Sequence, residues 1–193
     1  MSMLPQIILA SRSPRRQELL KQAGVQYQLD FADIDESTTT GENAKDYTIR
    51  MACEKAEAVA SRRQNDLPVL GADTAVIVDG VILGKPDDQA HARRLLGMIS
   101  GRVHQVYSAV ALIDTSATVH HKLNISNVEF DVLDTEWIER YLATGDSMDK
   151  AGAYGVQGLA ASRIRHLEGS YSGVMGLPLY ETMQLLEKLE EQR

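Results

Sequence analysis

The chain contains a single cysteine, Cys53, and no apolar run long enough to span a membrane. One thiol can form neither an internal disulfide nor a thiolate metal site, so we expect a buried structural cysteine in a protein of the reducing cytoplasm. The apolar stretch at residues 4–10 is too short for an export signal and has no basic residue before it. With a net charge of -7, the chain also lacks the excess of lysine and arginine that nonspecific nucleic-acid binding requires.

The length and composition are typical of a globular protein. At 193 residues and 44% hydrophobic, the chain can bury about 70% of its unfolded surface and form one core, or two small lobes that share one. Strand and helix patterns alternate from end to end, without a linker rich in Pro, Gly or Ser, a low-complexity tract or an internal repeat. We therefore predict one continuous domain over residues 1–193.

The spacing of apolar residues predicts an α/β fold. Runs rich in β-branched residues predict strands, and amphipathic stretches between them predict helices. Helices are expected at residues 14–23, 43–62, 87–99 and 135–143 and after Pro178, and strands at 7–10, 25–31, 68–86, 103–114 and 120–133. Long antiparallel pairs together with strand-helix alternation predict a mixed, partly antiparallel sheet flanked by helices.

The dipeptide "DG" at residues 79–80 predicts a tight hairpin turn. A two-residue turn there pairs Val78 with Val81, and an ideal ladder would continue until Thr74 lies opposite Lys85. The lysine of the "GKP" segment is therefore expected close to the "ADT" segment of the preceding strand.

Three arginines crowd the beginning of the first helix, in the stretch "ASRSPRRQELL". Ser13 and Pro14 are a typical N-cap and first-turn pair, so Arg12, Arg15 and Arg16 lie around the helix N-terminus. That end of a helix already carries partial positive charge, and added arginines are unfavourable there unless an anion binds among them. The pattern predicts a phosphate site.

Asp73 interrupts the apolar strand "PVLGADTAVIVDG". Burying an unpaired carboxylate is unfavourable by several kcal/mol, so the residue needs a partner or an exposed position. Two interpretations are open: Asp73 caps the end of a strand, or it serves as a cation ligand or general base.

Lys55 lies in line with Met51 and Val59 on the helix face that should be apolar. Such a lysine either extends its ammonium group to water or binds an anion. The segment "DIDES" at residues 33–37 supplies carboxylates just after a strand, where hard oxygen ligands could hold magnesium. Carboxylates in loops are more often simply solvated, so this pattern is weak by itself.

The stretch "AGAYGVQG" at residues 151–158 would let a ligand approach the backbone closely, and Gln157 offers both a hydrogen-bond donor and an acceptor. The glycines match neither a Walker loop nor the dinucleotide fingerprint, and a tight loop with no ligand is the simpler alternative. The five histidines lack metal-ligand spacing, and no catalytic role is assigned to them.

Taken together, "ASRSPRRQELL", "DIDES", "CEKA", "LGADTAVIVDG", "GKP", "SG", "DKAGAYGVQG" and "GSYSGVMGLPLYET" resemble the Maf family of nucleoside triphosphate pyrophosphatases, in the same order and over nearly the whole chain. The resemblance favours the subgroup that acts on dTTP and UTP, because Arg15, Thr74 and Gln157 match its residues. The 7-methyl-GTP subgroup instead resembles "SPWRR" and "GSDQ" and lacks the glutamine loop. Met175 stands where a valine is commoner, a tolerated apolar change.

The resemblance implies a single domain of two lobes around a nucleotide cleft, similar to inosine triphosphate pyrophosphatases. It implies hydrolysis of the triphosphate between its α and β phosphates, giving a nucleoside monophosphate and pyrophosphate. The implied substrate-binding residues are Ser11, Arg15, Arg16, Lys55, Thr74, Lys85 and Gln157, with Arg12 as a further candidate. The implied general base is Asp73, and the implied ligands of Mg²⁺ or Mn²⁺ are Glu36 and Asp73. Which carboxylate is the base and which the ligand stays open.

The expected partner is a small-molecule nucleoside triphosphate, with no nucleic acid and no membrane, and a homodimer is open as the assembly. A competing hypothesis is a regulatory module that senses nucleotides and inhibits septum formation; another is a 7-methyl-GTP pyrophosphatase. The buried position expected for Asp73 favours an enzyme, because a sensor needs cations around the phosphates but no carboxylate facing them.

Overall fold

A mixed sheet of seven strands forms the centre of the molecule in a computed structural model, which describes residues 4–63 and 66–191. The strands are β1 (Ile7–Ala10), β2 (Tyr27–Asp30), β3 (Val69–Val78), β4 (Val81–Leu83), β5 (Val103–Ile113), β6 (Val119–Phe130) and β7 (Ile164–Glu168). Their order is β2-β1-β3-β5-β6-β7, and β4 pairs with β3. β1 is parallel to β2 and β3, whereas the other pairs are antiparallel.

Helices cover the sheet, so the predicted mixed, partly antiparallel sheet flanked by helices is confirmed. The helices are α1 (Pro14–Gln22), α2 (Ala44–Ala60), α3 (Gln89–Ile99), α4 (Thr135–Ala143), α5 (Tyr171–Met175) and α6 (Leu179–Glu191). Short 3-10 turns lie at Ala151–Ala153 and Leu159–Arg163. In the described part of the chain, no helix is long and apolar enough to cross a membrane.

Two short strands, β1 and β4, pair with the same edge of β3 and leave a gap between them. β1 pairs with Val69 and Leu70, and β4 pairs with residues 76–78 of the same strand. The opposite edge of β3 pairs continuously with β5, from Val69 to Ile77. Among the described strands, residues 71–75 therefore have a neighbour on one side only, and it is there that β3 faces a cleft.

The predicted hairpin forms at residues 79–80, and Val78 pairs with Val81. Both turn residues have positive φ angles, of 50° and 80°, as a tight hairpin turn requires. The predicted pairing of Thr74 with Lys85 is wrong, because β4 ends at Leu83, which pairs with Val76. The reason is a contact with a distant loop: the Gly84 carbonyl accepts a hydrogen bond from Gly152 N rather than joining the ladder.

Gly71 allows α2 to cross β3 at very close range. A Cβ at this position would lie 2.2 Å from the Ala52 carbonyl oxygen and 2.8 Å from Ala56 N. The same helix face buries Met51 and Val59. Lys55 belongs to this helix, so the close crossing brings its side chain over the middle of β3.

The two largest clusters of buried residues include opposite ends of β3. One contains Val76 with residues of α3 and α4, and the other contains Leu70 with residues of α1 and α6. Cys53 is half-buried against small residues of α2 and β5, and burial raises the pKa of its thiol. The middle of β3 lies between these two clusters.

Two elements were not predicted from the sequence. β7 is a mostly exposed edge strand, "IRHLE", in which charged residues obscure the alternation. α5 has only five residues and includes Gly173, so it is too short to show a helical period.

Candidate functional site

A cleft of about 690 Å³ opens where β3 lacks a second neighbour. Its walls are the end of β1 with the start of α1, the loop after β2, the middle of β3, the end of β4 and the glycine-rich loop. All nine residues implied by the resemblance line it: Ser11, Arg15, Arg16, Glu36, Lys55, Asp73, Thr74, Lys85 and Gln157. Residues separated by up to 146 positions in sequence thus share one cavity.

Ser13 is the N-cap residue of α1, as predicted, but its side chain makes no capping hydrogen bond. The capping function is not replaced by an acidic residue, since the first turn contains none. Ser11 Oγ instead accepts hydrogen bonds from Ser13 N at 3.2 Å and from Arg16 Nη1 at 3.1 Å. Backbone N–H groups at the start of α1 are therefore left available to an anion in the cleft.

The three arginines reach three different places. Arg12 stacks over Phe31, with 3.9 Å from its guanidinium carbon to the ring centroid, and its side chain is 62% exposed. Arg15 extends across the cleft to Asp149, with 3.5 Å between Nη1 and Oδ2. Arg16 instead bonds to the Gly176 carbonyl and Ser11 Oγ, so the expectation of a single cluster of three arginines is only partly met.

Arg16 is held by neutral acceptors. Its Nε donates to the Gly176 carbonyl at 2.9 Å and its Nη1 donates to Ser11 Oγ. Burial lowers the pKa of the guanidinium, and the negative charge of Asp73 opposes this effect. Among the described residues no carboxylate forms an ion pair with Arg16. A positioned cation without an ion-pair partner is well suited to bind a phosphate.

Asp73 lies in the middle of β3, opposite Ala109 of β5, and is only 8% exposed. The interpretation of Asp73 as a strand-end cap is therefore wrong. Its carboxylate accepts a hydrogen bond from Lys55, with 2.6 Å between Nζ and Oδ1. The paired charge explains how an acid can occupy an apolar strand.

Lys55 does not extend to water, because its ammonium group points into the cleft. Nζ lies 2.7 Å from Glu36 Oε1 as well as 2.6 Å from Asp73 Oδ1. Burial raises the pKa of Glu36, but the hydrogen bond and charge of Lys55 outweigh it, and the net pKa is below the usual value. Glu36 and Asp73 therefore converge as two carboxylates on one point.

Tyr47 is a site residue that the sequence reasoning missed. It lies on α2 two turns before Lys55, and its hydroxyl donates to the Glu36 carbonyl at 3.0 Å. Burial, followed by the charges of Asp73 and Glu36, raises the pKa of Tyr47 to about 12. Arg50 adds a second bond from the same helix, to the Ser37 carbonyl at 3.0 Å. The loop that carries Glu36 is thus fastened to α2.

Lys85 lies beyond the end of β4 and is exposed toward the cleft. Within the described ranges, no hydrogen bond or ion pair links it to another side chain. Its positive charge nevertheless contributes to the lowered pKa of Glu36, after the effects of burial and Lys55. Lys85 is therefore near the carboxylate pair and free to bind an anion.

The glycine-rich loop is held by two tyrosines. Tyr154 is buried and its hydroxyl lies 2.7 Å from His104 Nε2, while Gly155 N donates to the Tyr141 hydroxyl at 3.3 Å. The backbone reverses at Gly152 and Ala153, with φ angles of 66° and 62°. These restraints hold the loop at the cleft, where half-buried Gln157 lines the wall.

Thr74 is held by contacts with β5 and with the residue that follows α5. Its Oγ1 lies 3.1 Å from Ser108 Oγ and donates to the Gly176 carbonyl at 3.3 Å. The same carbonyl accepts the hydrogen bond from Arg16. Thr74 and Arg16 thus fix one backbone group between them.

The carboxylate pair is the candidate metal site. Among residues 4–63 and 66–191, no group of three or more His, Cys, Asp or Glu side chains is arranged to hold a metal ion. Mg²⁺, however, is commonly bound by one or two protein carboxylates together with substrate phosphates. Glu36 and Asp73 already direct two hard oxygen atoms at one cation, the Lys55 ammonium. The donor set therefore fits a divalent cation that binds together with a phosphate.

Comparison with known proteins gives a family and close relatives. Residues 6–189 match the family model described as "Maf-like protein". The protein named dTTP/UTP pyrophosphatase of Aromatoleum aromaticum is 51% identical, over 94% of this chain and 94% of its own. The protein of the same name from Shigella dysenteriae serotype 1 is 48% identical, over 97% of this chain and 94% of its own.

A solved structure shares the fold at much lower identity. The Ham1 protein of Staphylococcus aureus aligns with a TM-score of 0.54 and 15% identity, covering 97% of this chain and 100% of that chain. The chain architecture is therefore shared well beyond recognisable sequence similarity.

Proposed function

The chain belongs to the Maf family, and we propose that it is a nucleoside triphosphate pyrophosphatase that hydrolyses dTTP and UTP to the monophosphate and pyrophosphate. The observation that carries this proposal is the convergence of Asp73 and Glu36 on one cation, in a cleft where Arg16 and Lys85 have no ion-pair partner among the described residues. A binding module would need the positive charge alone. Two carboxylates directed into a phosphate site serve hydrolysis.

The triphosphate binds at the start of α1 in this proposal. Arg16 and Ser11, already hydrogen-bonded to each other, hold phosphate oxygens together with the free N–H groups of the helix. Lys85 neutralises further charge from the opposite wall, and Arg15 contributes from the cleft rim. These cations stabilise the negative charge that develops on pyrophosphate as it leaves.

Water attacks the α phosphorus, and the bond from that phosphorus to the bridging oxygen breaks. The bridging oxygen leaves as part of pyrophosphate. Asp73 is the general base that orients this water and accepts its proton, since it lies deep in the cleft and is 8% exposed. Glu36, with Asp73 as a second oxygen ligand, would hold Mg²⁺ or Mn²⁺. When bound, such a cation polarises the phosphoryl oxygens and neutralises their charge.

Gln157 is proposed to read the base. Thymine and uracil present an O4 acceptor beside an N3–H donor, and one glutamine amide can satisfy both. Cytosine presents the reverse pattern. Thr74 and Arg15 line the same cleft as Gln157 and are proposed to shape the base pocket with it.

In this proposal the protein is cytoplasmic, consists of a single domain and acts on a free nucleotide. A single thiol and the net charge of -7 support that location and the absence of a nucleic-acid partner. A homodimer is compatible with this activity and is not required by it, since all nine site residues come from one chain. The septum-inhibiting sensor and the 7-methyl-GTP pyrophosphatase are not favoured, given the names of the relatives.

The test is release of pyrophosphate from purified protein with each nucleoside triphosphate in turn. We expect dTTP and UTP to give the highest kcat/KM values, with a monophosphate as the second product. Orthophosphate as the main product, or a preference for 7-methyl-GTP, would contradict the proposal.

A further inference from the structure

The Lys55 ammonium group occupies the point on which the two carboxylates of the cleft converge. Its Nζ lies 2.6 Å from Asp73 Oδ1 and 2.7 Å from Glu36 Oε1. The side chains of Lys55 and Asp73 are only 15% and 11% exposed, so this contact is shielded from water. A shielded ion pair is stronger than one on the surface.

A divalent cation held by the same two oxygens would need the same point. The ammonium group and the metal ion cannot share it, because both are positive and both require direct contact with the oxygens. The described residues offer no alternative metal site with three or more ligands. Lys55 must therefore leave the carboxylates before a metal ion can bind them.

A triphosphate provides the reason for Lys55 to leave. Lys55 has a flexible four-carbon stem, so its ammonium group can move. Arg16 lies near both carboxylates: burial lowers the pKa of the Arg16 guanidinium, and the charges of Asp73 and Glu36 oppose that effect. A phosphate group bound between Arg16 and Lys85 would thus lie within reach of the ammonium group. The incoming anion would replace the carboxylates as the partner of Lys55.

We propose that Lys55 makes metal binding depend on the nucleotide: it neutralises Asp73 and Glu36 until a triphosphate draws it away, and only then do the carboxylates accept the divalent cation. The inference rests on the proposed pyrophosphatase function, since it assumes that the cleft binds a triphosphate and a metal ion. Linkage then requires that nucleotide and metal raise each other's affinity by the same factor.

The test is the affinity for Mn²⁺, measured without nucleotide by the electron paramagnetic resonance signal of the free ion. Lys55→Met removes the ammonium group but keeps an unbranched side chain that matches the length of the lysine stem. We expect this variant to bind Mn²⁺ about tenfold or more tightly than the parent. Adding Asp73→Asn to Lys55→Met should remove the gain, because one of the two oxygen ligands loses its charge.

Lys85→Met is the matched control. It removes one positive charge from the same cleft, but Lys85 contacts neither carboxylate among the contacts within the described residues. A general electrostatic effect would raise Mn²⁺ affinity equally in both lysine variants. We expect a change of less than about threefold in Lys85→Met, because electrostatic effects without direct contact are weakened by solvent.

Equal affinities in Lys55→Met and Lys85→Met would overturn the proposal, as would a parent that binds Mn²⁺ as tightly as Lys55→Met. If Lys55→Met does not fold, Lys55→Gln carries the same expectation and the same contrary outcome. Pyrophosphate release from UTP by the parent is measured separately. Its absence would refute the proposed function, whereas the Mn²⁺ affinities decide the role of Lys55.

A second arm tests the coupling in the parent. An analogue of UTP with a methylene group between the α and β phosphates resists the proposed cleavage. In the parent we expect the analogue to bind about tenfold or more tightly when Mn²⁺ is present, and in Lys55→Met this factor should fall. An identical factor in both proteins would overturn the proposal.

Discussion

His104 and Tyr154 form a buried hydrogen bond, with 2.7 Å between Nε2 of the histidine and the tyrosine hydroxyl. His104 is 2% exposed, and its Nδ1 has no hydrogen-bond partner among the described residues. The bond joins β5 to the loop that carries Gln157, so it holds one wall of the cleft. A buried neutral histidine of this kind also makes stability depend on pH.

Burial, with a smaller effect of Arg102, lowers the pKa of His104 to about 4 from the usual 6.5. Between these pH values the unfolded chain binds a proton at this residue and the native protein does not. Stability therefore falls as the pH decreases from 6.5 to 4, by about 3 kcal/mol for this histidine. Urea unfolding at a series of pH values measures the loss.

The variant His104→Gln should lose less stability over the same pH range, because it has no group that titrates there. Tyr154→Phe is the control: it removes the hydrogen bond but keeps the buried histidine, so it should be less stable at every pH and keep the slope. The same pH slope in the parent and in His104→Gln would refute the assignment.

Gly71 gives a prediction about packing. In Gly71→Ala the new Cβ meets backbone atoms of α2, the nearest at 2.2 Å, so the helix must move. We expect a loss of about 1 to 3 kcal/mol in the free energy of unfolding, with reduced turnover because Lys55 moves with the helix.

Gly97→Ala is the matched control for that substitution. Gly97 lies within α3, and a Cβ there would meet no atom within 4 Å. This variant should gain about 0.5 to 1 kcal/mol from the higher helix propensity of alanine. Denaturant unfolding would contradict the packing argument if the two alanines shifted stability in the same direction.

The strands around the cleft were predictable, whereas its internal contacts were not. β3, β5 and β6 are long strands, β3 is rich in β-branched residues, and the turn between β3 and β4 has a specific sequence. The site residues were named by the order of motifs along the chain, and the structure brings them into one cleft. Nothing local in the sequence pairs Lys55 with Asp73, because that contact depends on the crossing of α2 over β3 at Gly71.

Tyr47 is a second example of a site contact that the sequence could not predict. A tyrosine on a half-buried helix face is typical of packing, and its bond to the Glu36 carbonyl depends on the path of a loop without regular structure. The hairpin register failed beyond Leu83 for a related reason, since Gly84 is bonded to a distant loop. In both cases the contact depends on where the tertiary structure places a loop, which local sequence patterns do not specify.

Asp73→Asn should remove most of the activity without unfolding the protein. The amide keeps the size of the side chain but cannot accept the proton from water or supply a charged metal ligand. We expect kcat to fall about 10²-fold or more. Circular dichroism checks the fold, and turnover within threefold of the parent would show that Asp73 is not the base.

Removal of divalent cations should abolish pyrophosphate release, because the paired carboxylates are proposed to act through a metal ion. Excess chelator followed by addition of Mg²⁺ or Mn²⁺ measures loss and recovery in one sample. Glu36→Gln should raise the metal concentration needed for half-maximal activity. Full activity in excess chelator would exclude the role proposed for Glu36.

Base selectivity is the sharpest test of Gln157. The amide can pair with O4 and N3–H of uracil or thymine, but cytosine would leave polar groups of the site unpaired, at about 1 to 3 kcal/mol for each group. The parent should therefore favour UTP over CTP by about tenfold or more in kcat/KM. In Gln157→Ala this ratio should fall toward one, mainly through slower turnover of UTP.

Gln157→Glu is the informative second variant, since a carboxylate can only accept hydrogen bonds while it is ionised. It should bind the amino group of cytosine better than O4 of uracil, and the ratio of UTP to CTP should fall below that of Gln157→Ala. A general loosening of the loop would slow both nucleotides alike and leave the ratio unchanged. Equal ratios in the parent and both variants would therefore remove Gln157 from base recognition and assign the selectivity to Thr74, Arg15 or the backbone of the glycine-rich loop.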